Sequence, residues 1–277
     1  MLQACHLLFV QTVSLLLIFG TSVTHADSSR KAHHTLWNPT PRSEWRDMSA
    51  DRPDFTESPY TVDAGAFQLE MSFLDYSRTD DAESTTLAPI NFKVGLRHDM
   101  DIQFVMDPFV ISDDGTQKID GVGDTQIRLK MNLWGNDSEG DAFAFMPFVQ
   151  IPTSTNGIGG DEIEGGLIFP YATALSESVG LGLMFETDFV HNEIEDNYDV
   201  EYVGTGVFGF EITEALGTYL EGIAILRPDG DEDFTSILGM GVTYEVATDT
   251  VLDLGCNFGL EGAADDFNFF TGISIRY

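Results

Sequence analysis

From Gly65 to Tyr277 the sequence alternates apolar and polar residues with period two, in segments of about ten residues separated by turn-forming clusters. Successive side chains of a strand point to opposite faces, so this pattern commits the chain to sheet with one apolar face. Phe67, Leu69, Met71 and Phe73 share one face of the first segment, opposite Ala66, Gln68, Glu70 and Ser72. In the fourth, Ile127, Leu129, Met131 and Leu133 stand opposite Gln126, Arg128, Lys130 and Asn132. Read this way the chain holds about twelve strands, the last running from Phe269 to Tyr277. The ninth, around Leu216, Leu220 and Leu226, is the least regular, because Ile223 and Ile225 occupy its other face. An even strand number is what a closed antiparallel barrel of the bacterial kind requires.

A soluble sandwich also has one apolar face per strand, so alternation alone does not decide. The connections do. Arg97-His98-Asp99, Ser176-Glu177-Ser178 and Thr213-Glu214-Ala215 are tight, whereas Asp113–Asp120, Pro152–Glu164 and His191–Asp199 are long. Short turns on one rim and long loops on the other is the outer-membrane pattern. The expected fold is therefore all-β: a transmembrane antiparallel up-and-down β-barrel of about twelve strands, with short periplasmic turns and long acidic outer loops. The apolar face is assigned to lipid and the polar face to the lumen, which places Lys93, Arg128 and Lys130 inside.

Composition removes other classes. The 46 acidic residues against 13 basic give a net charge of -33, which repels a phosphate backbone and excludes nucleic acid as a partner. Leu7 to Phe19 is almost wholly apolar and too short to span a bilayer, and Thr24-His25-Ala26 follows with small residues. Residues 1–26 read as a signal peptide. After its removal Cys256 is the only cysteine, so no intramolecular disulfide forms. Residues 27–61 carry five basic residues (Arg30, Lys31, Arg42, Arg46, Arg52) and no sustained period. They are a plug that folds back into the lumen or a periplasmic lead-in over Asp27–Ala50, and the lead-in is the preferred reading. Residues 62–277 form the barrel.

Lys93, Arg97, Arg128 and Lys130 come from strands separated by one neighbour and are expected to line one lumen wall. Glu186, Asp188, Glu201, Glu211 and Glu221 have lumen parity on later strands, and Glu70 on the first. Two readings stand side by side: opposed walls that set a transverse field in a pore, or salt-bridge partners that fill a narrow lumen, Glu70 pairing with Lys93. Twenty acidic residues fall in the six expected outer loops, and a solvated repulsive rim is preferred there to divalent-cation binding. Asp229-Gly230-Asp231-Glu232-Asp233 has Phe234 where an EF-hand requires glycine. No cofactor, metal site or catalytic group is expected. His191 is the one histidine near an outer edge, and no nucleophile signature accompanies it, so a lipid hydrolase is the weaker alternative. A structural barrel without transport is another.

Four stretches taken together resemble the outer-membrane transporter family named after the MetA pathway of phenol degradation. They are RPDFTESPYTVDAGAFQLE (Arg52 to Glu70), GVGDTQIRLKMNLWG (Gly121 to Gly135), FVQIPTSTNGIG (Phe148 to Gly159) and VLDLGCNFGLEGAADDFNFFTGISIRY (Val251 to Tyr277). The resemblance implies a β-barrel in the outer membrane of a Gram-negative-type bacterium and a role in moving small, aromatic or hydrophobic solutes. The expected partners are outer-membrane lipids, a small-molecule solute, and the barrel-assembly machinery through the C-terminal strand ending at Tyr277.

Overall fold

In the computed structural model, residues 33–137, 140–228 and 234–277 are described. The signal-peptide reading of residues 1–26 and the Asp229–Asp233 loop lie outside them. Fifteen strands follow in chain order: β1 (Phe67–Arg78), β2 (Glu83–Leu87), β3 (Ile90–Arg97), β4 (Met100–Met106), β5 (Phe109–Asp113), β6 (Lys118–Gly121), β7 (Thr125–Trp134), β8 (Ala142–Ile151), β9 (Glu164–Ser176), β10 (Val179–Asn192), β11 (Asn197–Glu211), β12 (Leu216–Leu226), β13 (Phe234–Ala247), β14 (Thr250–Glu261) and β15 (Phe267–Arg276).

Twelve of them close a barrel in the order β1-β3-β4-β7-β8-β9-β10-β11-β12-β13-β14-β15, with β15 returning to β1. Every pairing is antiparallel between chain neighbours around the ring. The seam is sealed by reciprocal bonds, Phe67 N–H to the Tyr277 carbonyl and Tyr277 N–H to that of Phe67, both 2.9 Å. Closure leaves no free edge within the hydrocarbon layer, where an unpaired backbone group is not tolerated.

The three remaining strands are the outer ends of barrel staves that bend. β2 and β3 are separated by Ala88-Pro89, β4 and β5 by Asp107-Pro108, and β6 and β7 by Val122-Gly123-Asp124. Proline cannot donate to the ladder, and Ala88 has a positive φ of 54°, so pairing stops there and resumes in a small hairpin extension, β1-β2-β5-β6. This corrects the expected long loop over Asp113–Asp120, most of which is strand and turn. The His191–Asp199 loop shortens likewise, since β10 and β11 remain paired to Asn192↔Asn197. Pro152 to Ile163 stays an extended connection.

The parity read from sequence holds on the outer wall. Phe185, Tyr202, Phe208, Leu220, Met240 and Leu254 are exposed there, a continuous apolar belt of a kind that a water-facing surface does not carry and lipid requires. The rings of Phe169, Phe185 and Tyr202 run side by side along it at 6.3 and 6.2 Å. The inner wall differs from expectation on one side. Met146, Ile168, Met184, Val203 and Ile223 are buried inside the barrel as an apolar cluster, with Phe148, Ile225 and Ile237 packed on it. The assignment of a wholly polar face to the lumen is therefore corrected: β8 to β13 present apolar side chains on both faces. This is why Ile223 and Ile225 broke the period of the ninth segment.

Candidate functional site

The lumen of the barrel is occupied by the chain's own residues from about Arg46 to Ala64, while residues 33–39 lie against the rim, where Thr35 bridges Arg97 and Trp37 is exposed. The described chain before β1 has no regular structure apart from a short 3-10 turn, Arg42–Glu44, so its shape is set by what it touches. Thr40 to Ala50, part of what the sequence favoured as a solvated lead-in, is tied to the barrel. Arg46 donates to Asp63 at 2.9 Å and to the carbonyls of Thr61 and Asn136 at 3.0 and 3.1 Å. Arg276 of β15 donates to the Arg46 carbonyl at 2.7 Å and to Asp249 at 3.0 Å. Trp45 lies between two guanidiniums, Arg42 at 5.3 Å and Arg276 at 5.1 Å from its ring. These cation–π contacts and the bidentate grip fix the base of the segment.

Its middle carries the electrostatic anchor. Asp51 takes both ammonium groups of the basic strip: Lys130 at 2.8 Å to each carboxylate oxygen, and Lys93 on Oδ2. Lys93 also pairs with Glu70, whose carboxylate accepts the Asp51 backbone N–H at 3.2 Å and the Gln68 amide at 2.8 Å. Lys93 and Lys130 are only 2% and 1% exposed. Ammonium groups so deep exist because each has a carboxylate in contact. Burial alone would raise the pKa of Asp51, but the charges of Lys130 and Lys93 outweigh it and hold the carboxyl well below its ordinary range. Arg128, the third member of the strip, pairs with Glu57 at 2.5 Å. Burial and the charge of Asp51 push Glu57 up to about 7.

The segment reaches β12 through uncharged donors and β14 through a guanidinium. Glu221 of β12 accepts the backbone N–H groups of Phe55 and Thr56 at 2.9 and 2.8 Å and the Thr56 hydroxyl at 2.6 Å. Arg52 forms a bidentate pair with Asp253 of β14, at 2.6 and 3.1 Å, and donates to Ser72 at 2.7 Å. The Glu57 backbone N–H lies 3.4 Å from the Met184 sulfur, at the edge of the apolar cluster. Between the segment and the wall lies a cavity of about 390 Å³, bordered by Phe55, Glu57, Asn91, Val105, Arg128 and Ile168 among others.

Lys93, Arg128 and Lys130 thus converge with Glu70 as the strip expected, but their charge is met by Asp51 and Glu57 of the inserted segment. Arg97 does not join them: its side chain is 54% exposed in the β3–β4 turn and pairs with Asp99 at 3.2 Å. The acidic residues spread along the barrel axis. Glu221 holds the segment; Glu186 borders the cavity, with Asp188 two residues further along β10; Glu201 pairs with Arg227 toward the outer end of β11; Glu211 is exposed at its other end. A single acidic wall facing a basic one is therefore not what the barrel contains. His191 contacts Asp196 at 3.4 Å and the Tyr198 ring, and no hydrogen bond among the described residues joins it to a serine. Asp51, Arg52 and Glu57 were missed as partners because their contacts lie 42 to 201 residues away in a segment without periodicity.

Against solved structures, the chain is similar to the COG4313 outer membrane channel from Pseudomonas putida F1, with 14% identity, 83% of this chain and 100% of that chain covered, and a TM-score of 0.64. It is also similar to the NanC porin at 10% identity, 75% and 98% coverage, and a TM-score of 0.53. These likenesses concern the fold. No curated protein matches the chain. The family described as "Putative MetA-pathway of phenol degradation" matches residues 50–277, which takes in the anchor residue Asp51, the rest of the inserted segment beyond it and the whole barrel; the chain belongs to that family.

Proposed function

We propose that the protein is an outer-membrane channel for small solutes with an apolar body and one or two polar groups, single-ring aromatics included. The observation that carries this reading is the cavity beside the inserted segment. At about 390 Å³ it has the size of a small-ligand pocket, and its lining joins Ile168 and Val105 to the polar ends of Asn91, Arg128 and Glu57. A general porin needs only a wet lumen, whereas an apolar cluster inside the barrel favours solutes that shed part of their water on the way. The segment anchored on Asp51 narrows the passage and sets its resting conductance. The likeness in fold to outer membrane channels supports the same reading. Outer-membrane lipid surrounds the belt of Phe185, Tyr202 and Phe208, and β15, ending beside Tyr277, is the strand offered to the barrel-assembly machinery.

The test is influx of phenol into liposomes containing the purified, heat-modifiable barrel. Influx should exceed that of protein-free liposomes and should rise again when Asp27–Asp51 are deleted. Equal rates in all three preparations would refute the channel.

A further inference from the structure

The lumen face of β7, β8 and β9 changes character in steps from the outer mouth inward. At the outer end, beside the long Pro152 to Ile163 connection, Gln126, Gln150 and Glu164 stand directly opposite one another across the three strands. The next row inward is Arg128, Phe148 and Gly166, and beyond it lie Met146, Ile168 and Glu186 of β10. A Cβ on Gly166 would come within 2.7 Å of the Phe148 ring, so glycine there lets the ring lie over β9. Phe148 packs on the apolar cluster to which Ile168 belongs, and the cavity beside the inserted segment is bordered by Gln126 and Arg128 as well as Ile168. A solute coming from the mouth therefore meets the amide row before the apolar ones.

The outer row is one hydrogen-bonded chain. The Arg128 guanidinium donates to Gln126 Oε1 at 3.0 and 2.8 Å, the Gln126 amide to Gln150 Oε1 at 2.7 Å, and the Gln150 amide to Glu164 Oε2 at 3.1 Å. Glu164 Oε1 accepts the His191 backbone N–H at 3.0 Å, which ties the far end to β10. A guanidinium only donates and a carboxylate only accepts, so the two ends fix the direction of both amides between them. Among the described residues each amide uses one of its two N–H bonds in the chain and keeps the other, and Gln150 Oε1 keeps a lone pair. Gln126, Gln150 and Glu164 are half-buried, so a body passing over them displaces the water that serves this free capacity.

We propose that the Gln126–Gln150–Glu164 row is the selectivity point of the outer leg of the solute path, and that it sorts small apolar solutes by whether they carry a hydroxyl group. The proposal rests on the channel reading above. A hydroxyl both donates and accepts, so it takes over the contacts of the displaced water while the apolar body moves onto Phe148 and Ile168. A solute of the same body without the hydroxyl strips the amides and returns nothing, and a site built to hydrogen-bond its ligand rejects the analogue that cannot.

The experiment compares influx of meta-hydroxyphenyltrimethylammonium and phenyltrimethylammonium into liposomes holding the full chain. The two differ by one hydroxyl, and their fixed charge keeps both from leaking through lipid. Wild type should pass the hydroxylated solute about tenfold faster, the order of one neutral hydrogen bond. Gln150→Leu, which breaks the chain at its middle, should bring the ratio close to one while both solutes still enter. Asn257→Leu makes the same kind of change at a lumen-facing amide of β14, outside the row, and should leave the ratio at its wild-type value. Heat-dependent gel mobility identifies folded variants, and Gln126→Leu decides in the same way if Gln150→Leu misfolds. The row is overturned, and the channel left standing, by a wild-type ratio near one, by a ratio indifferent to Gln150→Leu or lost equally in Asn257→Leu, or by exclusion of both solutes while phenol enters. Absence of influx of both solutes and of phenol through wild type overturns the channel reading and the row with it.

Discussion

Replacing Asp51 with Asn should release the inserted segment from the lumen. At the anchor Asp51 contacts both buried ammonium groups, Lys93 and Lys130, and Glu70 is the second partner of Lys93. The substitution leaves one positive charge uncompensated among side chains that are nearly inaccessible to water. Removing one partner of a buried ion pair costs about 3 to 5 kcal/mol, which lowers the docking constant roughly 150- to 5,000-fold. The barrel itself loses little, because every strand pairing is independent of Asp51. The assay is limited proteolysis of the folded barrel in detergent with a protease specific for arginine, reading cleavage at Arg46. Arg46 is sequestered in wild type by Asp63 and should be cut in the variant, with heat-dependent gel mobility retained. Adding Lys130→Met restores neutrality and should recover most of the protection. Equal protection in wild type and Asp51→Asn, or no recovery in the double variant, would refute the electrostatic anchor.

Three further outcomes follow from the same contacts. Glu221→Ala strips the acceptor from Phe55 N–H, Thr56 N–H and the Thr56 hydroxyl, and should expose the segment to proteolysis at a cost of about 3 kcal/mol, whereas Glu221→Gln keeps one acceptor oxygen and should lose less. Phe208→Lys places an ammonium on the lipid belt and should lower the stability of the folded barrel in a urea titration in bilayers by about 2 to 4 kcal/mol, while the lumen-facing Val207→Thr should cost clearly less. Docking should also depend on pH. Glu57 rises from 4.5 to about 7 in the docked segment through burial and Asp51, so its contribution is fully present below about pH 4.5 and fades as pH rises through 7. Proteolytic access at Arg46 should therefore be greater at pH 8.5 than at pH 5.5, and Glu57→Gln should flatten that difference.

The lipid-facing half of the fold was legible because lipid imposes one simple demand on every second residue. Phe67, Leu69 and Met71, or Leu252, Leu254 and Cys256, obey it whatever they pair with, and the twelve barrel staves coincide with the twelve alternating segments. The lumen imposes no such uniform rule. Met184, Val203 and Ile223 satisfy an apolar cluster, Lys93 an acid, and Gly180 open space, so parity alone told which residues point inward and not what they meet. β2, β5 and β6 escaped notice because they are short and set off by Pro89, Pro108 and Gly123. The inserted segment was least legible of all. Its length and charge suit a solvated tail equally well, and only closing the barrel brings Arg52 to Asp253 across 201 residues.

The seam between β1 and β15 has a bearing on the order of events during biogenesis. Arg276 sits one residue before the end of the chain and holds Asp249 and the Arg46 carbonyl, while Phe67 and Tyr277 exchange hydrogen bonds beside it. None of these partners is assembled until the last strand has found the first. The grip of Arg276 on the base of the inserted segment must therefore wait until β15 is in place, because contacts of such long sequence separation form only after the intervening chain is ordered. A barrel lacking β15 consequently holds the segment at Asp51 but leaves its base loose. Susceptibility of Arg46 to cleavage, followed in time during refolding into bilayers, would serve as a clock for the closing step.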